Sequence, residues 1–193
     1  MKKKFSLTVL VTGGSGLVGT AIDRITKSDK YSHINIVSIS SMVCDLRDIE
    51  QTYNLFKRES PSYVIHLAAR VGGLFRNMKE KVEMLEDNII INMNVLRMCH
   101  KFNVKKCVVC LSTCIFPNNI RYPIDESMLH NGPPHSSNDA YAYAKRMCEV
   151  QCRAYREQYG CNFISVIKRF LHANPSNVLS IVLNDTFVLL SRQ

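Results

Sequence analysis

A chain of 193 residues with 46% hydrophobic and 21% charged residues is long enough to bury one sizeable core and too short for two full domains. No apolar run reaches the roughly eighteen residues of a membrane-spanning helix, and the basic start Met1-Lys2-Lys3-Lys4 runs straight into a core strand instead of a cleavable signal, so no membrane partner and a cytoplasmic setting are expected. The formal net charge of +9 favours anionic partners; with no basic run longer than three residues, nucleic acid is not expected, and either a diphosphate-containing ligand or a plain solvated basic surface accounts for the sign.

Residues 7–11 are predicted to form a first core strand, followed by Thr12-Gly13-Gly14-Ser15-Gly16-Leu17-Val18-Gly19. Glycines 13, 16 and 19 at that spacing supply a tight turn, a close backbone approach to a pyrophosphate, and close helix–sheet packing. The helix that opens at Gly16 carries Leu17, Val18, Ala21, Ile22 and Ile25, and its free N-terminal amides suit phosphate. His33–Ile39 reads as strand two. Beyond its end stand Ser40 and Ser41, where dinucleotide-binding folds read the adenosine ribose. With no carboxylate there to repel a 2′-phosphate, NADP is favoured over NAD, although no Arg stands beside the pair.

Asp48, with Gln51 three positions on, reads as the N-cap of a helix ending before Pro61. Strand three is expected at Ser62–Leu67, a long helix from about Asn77 to Lys101, and strand four at Cys107–Leu111. Cys107 and Cys110 have the CxxC spacing, but strand alternation sends them to opposite faces and no second pair completes a zinc set, so no metal is expected. The strand runs into Ser112-Thr113-Cys114. Two residues apart on extended backbone, Ser112 and Cys114 are expected to project to one side. From the residues alone, Ser112 is equally a turn hydroxyl and Cys114 reads best as a buried core thiol.

Ile115–Asp139, with four prolines and no periodicity, is expected to be a long loop facing a ligand. A helix at about 140–159 then carries Tyr141-Ala142-Tyr143-Ala144-Lys145. Positions i and i+4 share a helix face, which places the Lys145 ammonium near the Tyr141 phenol and is expected to lower its pKa toward catalytic use. Cys148 and Cys152 on the same helix read as small hydrophobes, and Phe163–Ile167 as strand five. Strands alternating with helices imply an α/β, Rossmann-like, doubly wound parallel sheet. Its expected extent is residues 1–167. Residues 168–193 stand as a divergent tail whose apolar runs VLSIVL and FVLL suit either a hairpin or an exposed edge.

The TGGSGLVG turn is similar to that of the extended short-chain dehydrogenase/reductase superfamily. Asp45-Leu46 resembles the pair that touches adenine there, although Asp45 reads equally as a solvated turn residue. HLAARVGGLFRN at 66–77, LSTCIFP at 111–117, YPIDE at 122–126, HNGPPH at 130–135 and YAYAKRM at 141–147, in that order, resemble the GDP-L-fucose synthase family over residues 6–167. The resemblance implies a 3,5-epimerase/4-reductase that turns GDP-4-keto-6-deoxy-D-mannose into GDP-L-fucose with NADPH. By position, Ser112, Tyr141 and Lys145 would serve reduction and Cys114 epimerisation. Gly13, Gly14, Ser15, Gly16, Leu17, Val18, Gly19, Asp45, Leu46, Ala68 and Lys145 would hold the cofactor. The superfamily's helical dimer bundle implies a homodimer through the helices at 77–101 and 140–159.

After Ile167 the family pattern is lost, so the later strands and the substrate domain of the family have no recognisable counterpart, and His172 lacks the surroundings of the family's second acid/base. Two other readings stand beside the enzyme: a non-catalytic nucleotide-binding remnant that pairs with full-length subunits, and a related UDP-sugar epimerase or dehydratase. VGG and Ser-x-Cys argue against the latter.

Overall fold

In the computed structural model, which describes residues 7–167, the sheet is built around β1 (Leu7–Thr12), which pairs in parallel with β2 (Ile34–Ile39) on one side and β3 (Tyr63–His66) on the other. β4 (Lys106–Leu111) and β5 (Phe163–Ile167) extend it to the order β2-β1-β3-β4-β5, all parallel. The predicted strands are the observed strands to within one or two residues at each end. β1, β3, β4 and β5 are largely buried on both faces and leave little freedom about which segments pair, while the edge strand β2 buries only its two ends.

Alternation along the strands divides the core into two layers. Leu10, Val64, Cys107, Val109 and Leu111 point to one face, covered by α2 (Ile49–Glu59), α4 (Lys81–Lys101) and α5 (Asp139–Tyr159). Val9, Val11, Ile65, Val108 and Cys110 point to the other, against Ile22 of α1 (Leu17–Thr26). Cys107 and Cys110 therefore face opposite ways, as expected of CxxC on a strand. None of the eight cysteines forms a disulfide. Asp48 caps α2 as predicted, accepting from the amides of Glu50 at 2.8 Å and Gln51 at 3.1 Å.

One long helix was expected from Asn77 to Lys101; two form instead. α3 spans Leu74–Lys79, and Glu80 interrupts the helical path with φ −107° and ψ 50° before α4 begins. The break has a tertiary cause. The Glu80 carboxylate is held by Arg70 Nη2 at 2.7 Å and Arg76 Nε at 2.8 Å, and the Asn77 side chain donates back to the carbonyls of Gly72 and Gly73 at 2.7 and 3.0 Å. Helical periodicity carries no trace of those partners. The segment from 168 to 193, including His172 and the two apolar runs, lies outside the described residues.

Candidate active site

The strand order reverses between β1 and β3, so the loops leaving their C-terminal ends diverge and open a crevice. The glycine turn occupies one wall of it. Gly13 has φ +73°, and a Cβ there would sit 2.7 Å from the backbone nitrogen of Ala68; only a residue without a side chain lets the β1 and β3 loops approach so closely. A Cβ on Gly19 would come within 2.5 Å of Gly14 Cα, which fixes how tightly α1 packs on the turn. Gly16 caps α1 without a side-chain acceptor, leaving the first-turn amides and the positive end of the helix dipole open to an anion. Gly13→Ala is expected to cost about 2 kcal/mol or more, from the left-handed backbone and the collision together, measured as a drop in the urea unfolding free energy.

The crevice encloses about 880 Å³. Of the residues assigned to the cofactor by sequence, Gly13, Ser15, Gly16, Leu17, Val18 and Gly19 line it along the turn, and Asp45, Leu46 and Ala68 line its far side. Gly14 stands behind the wall, donating to the Ile39 carbonyl at 2.8 Å. Ser112, Cys114, Tyr141 and Lys145 complete the lining, so the glycine turn and the polar group at the end of β4 share one cavity.

That polar group differs from expectation in three respects. Ser112 and Cys114 do meet, but through a 3-10 turn over Thr113–Ile115 and not along extended strand: Ser112 caps the turn, and the Cys114 thiol donates to Ser112 Oγ at 3.2 Å. Lys145, 2% exposed, donates from Nζ to the Cys110 carbonyl at 3.0 Å; its charge is felt at Cys114 and His66 but does not offset the burial of the Tyr141 phenol. Burial, with the Cys114 and Cys110 thiols adding to it, pushes that phenol above its ordinary value. At Cys114, burial raises the thiol, and the opposing pull of Ser112, Lys145 and Arg146 does not overcome it. Both groups rest protonated at neutral pH.

Two features escaped the sequence reading. At the end of β3, fully buried His66 accepts at Nδ1 from Thr12 Oγ1 (2.7 Å) and donates from Nε2 to Asn92 Oδ1 (3.0 Å), while Thr12 Oγ1 accepts the Ala68 amide at 3.3 Å. This relay ties β1, β3 and α4 together beneath the crevice. Burial, followed by the nearby Lys145 charge, holds His66 down at about 3, which keeps it neutral. The signal available was a single polar residue in an otherwise apolar strand. At the mouth, Arg47 does line the crevice, but its guanidinium is clamped on Asp45 (2.7 Å at Nη2) and reaches Asp87, which also holds Arg70 at 2.8 Å.

The wall chemistry fits a dinucleotide: a side-chain-free turn, uncapped helix amides, and no carboxylate at Ser40 or Ser41. Beside it stands a Ser–Tyr–Lys set on a strand end and helix, the arrangement of an oxidoreductase of the short-chain type. A family profile described as the NAD dependent epimerase/dehydratase family matches residues 9–174, and the chain belongs to that family. It is 58% identical over 170 residues to a GDP-L-fucose synthase of Dictyostelium discoideum, covering 88% of this chain and 53% of that protein. It is 50% identical over 159 residues to a probable GDP-L-fucose synthase of Drosophila melanogaster, covering 82% and 50%. Among solved structures, a GDP-L-fucose synthetase from Naegleria fowleri bound to NADP superposes with a TM-score of 0.78 at 47% identity, over 86% of this chain and 54% of that one. A UDP-glucose 4-epimerase from Thermus thermophilus, at 23% identity and a TM-score of 0.70, shares the fold alone. The chain spans about half the length of the curated relatives it matches.

Proposed function

We propose that residues 1–167 form an NADP-binding, catalytic domain of the GDP-L-fucose synthase type, which epimerises C3 and C5 of GDP-4-keto-6-deoxy-D-mannose and then reduces C4. The observation that carries the proposal is the convergence of Ser112, Cys114, Tyr141 and Lys145 on the crevice whose opposite wall is the glycine turn. A bound NADPH supplies the hydride. The glycine turn and α1 amides would take its pyrophosphate, Ala68 and the Asp45-Leu46 loop its adenosine, and Lys145 its nicotinamide ribose.

The 4-keto group acidifies the carbons on either side. When a proton leaves one of them, its electron pair moves onto the keto oxygen, where the Ser112 and Tyr141 hydroxyls stabilise the enolate. That proton passes to a base on one face of the sugar, and the Cys114 thiol, protonated at rest, delivers one from the opposite face; the centre inverts, and solvent reprotonates the thiolate as the base releases its proton. In the reduction step Tyr141, resting as the neutral phenol, delivers its proton to the C4 oxygen. Eight cysteines, none of them in a disulfide, suit a reducing, cytoplasmic setting. Exposed Leu74, Phe75, Val82 and Met147 around α3, α4 and α5 suit a homodimer.

The test is to incubate the chain with NADPH and the keto sugar in deuterated water. Deuterium at C3 and C5 together with loss of NADPH absorbance is expected. Nicotinamide fluorescence that responds to the protein, with neither deuterium uptake nor NADPH loss, would leave a nucleotide-binding protein without catalysis.

A further inference from the structure

Arg146, next to the Lys of the Tyr/Lys pair, is 5% exposed. Burying a guanidinium is costly unless it is well partnered, and none of its partners among the described residues is a carboxylate. Nε donates to the Ile115 carbonyl at 2.6 Å and Nη1 to the Gly132 carbonyl at 2.8 Å, while Nη2 is buried without a partner. Ile115 closes the 3-10 turn that carries Cys114, so this one side chain fastens the turn to α5 and the loop at Gly132 to both. The acidic groups that feel its charge are the Tyr143 phenol and the Cys114 thiol. Tyr143 is half-exposed and offers its ring, 5.6 Å from the guanidinium carbon. Cys114 lines the crevice.

We propose that Arg146 is a positioning residue for Cys114: it locks the turn that presents the thiol and keeps a buried positive charge against the thiolate form. The inference rests on the reading of Cys114 as the group that exchanges protons with carbon, because such a group passes through its thiolate in every cycle. Of the other groups around Cys114, Ser112 favours the thiolate by a hydrogen bond and Lys145 by its charge. Tyr141 is a weak acid that opposes a second negative charge, and Lys145 is hydrogen-bonded to the Cys110 carbonyl on β4 and not to the turn. Arg146 is thus the cation fixed to the turn itself.

The experiment follows iodoacetamide alkylation of Cys114 as a function of pH, by peptide mass spectrometry on the 193-residue chain, in the parent protein, R146Q and R146K. R146Q is expected to raise the alkylation midpoint by about one pH unit, making alkylation about tenfold slower below both midpoints. R146K, which keeps the charge, is expected to restore most of that loss. A folded R146Q with an unmoved midpoint would show a clamp without electrostatic function and overturn the proposal. A second measurement needs no Arg146 variant. The Arg146 Nε resonance is expected to titrate with the Cys114 midpoint in the parent chain and to stay flat in C114A; a flat resonance in the parent chain also overturns it. Both readouts use the protein alone, so they succeed or fail independently of NADPH consumption, which tests the functional reading.

Discussion

Replacing Tyr141 with phenylalanine is expected to slow C4 reduction by about 10²–10⁴-fold, the usual worth of a positioned general acid, while NADPH affinity stays within about twofold. The substitution removes one hydroxyl and leaves the ring, so the crevice wall and the helix that carries Lys145 keep their shape. What is lost is the proton. Burial holds the Tyr141 phenol in its neutral form, with Cys114 and Cys110 pushing the same way. A phenol in that environment serves reduction as an acid and needs no prior activation to do so, which gives a second expectation. In the parent protein the reduction rate, measured on pre-epimerised substrate, should show no alkaline fall attributable to Tyr141 through neutral and mildly basic pH. Y141F retaining more than about a tenth of the parent rate would place the proton donor elsewhere, with Ser112 the nearest alternative on the same wall.

How much of this was readable without coordinates depends on whether the physical cause is local. The glycine turn was legible because its requirement is written in the backbone itself: Gly13 needs a left-handed conformation and Gly19 a missing Cβ, and no other residue supplies either. The strands were legible because each is a short, largely apolar run set between turns and helix-length segments. Asp48 announced α2 through a capping interaction that spans three residues. The errors share a different character. Glu80 breaks the long helix because Arg70, from another loop, pulls on its carboxylate. Tyr141 is not brought down by its helix-face neighbour Lys145 because burial by the surrounding fold dominates its phenol. Ser112 and Cys114 meet through a 3-10 turn, although alternation on a strand gave the same side for the wrong reason. Arg146 went unnoticed because its partners are the backbone carbonyls of Ile115 and Gly132, and every residue has a carbonyl. Spacing patterns reveal which side chains share a face. They are silent about backbone acceptors that arrive from elsewhere in the fold.

Acidification from pH 6.5 to 5 is expected to destabilise the parent chain and to spare a His66→Gln variant this part of the loss. His66 is fully buried, and its pKa is about 3 in the folded state, against an ordinary value near 6.5 in the unfolded chain. Below about pH 6.5 the unfolded chain therefore binds a proton that the folded chain refuses, and the unfolding free energy falls with a limiting slope of about 1.4 kcal/mol per pH unit. The slope persists until the folded state itself takes up the proton at about 3. Asp45, Glu80 and Asp139 are held below their ordinary values by Arg47, Arg70 and Lys81 respectively. Their contributions have the same sign but are lost mainly below about pH 4.5, so the window from 6.5 to 5 isolates the histidine. Glutamine at 66 can still offer one acceptor and one donor toward Thr12 and Asn92, and it has no proton to gain. Its absolute stability is expected to be lower, but the readout is the difference in slope between urea unfolding free energies of the two proteins across the window. Parallel curves would mean that His66 is not the neutral relay inferred from its contacts. A steeper parent curve would connect acid sensitivity to the crevice, because protonating Nδ1 forbids it from accepting the Thr12 hydroxyl, and Thr12 is the residue that holds the Ala68 amide beside the glycine turn.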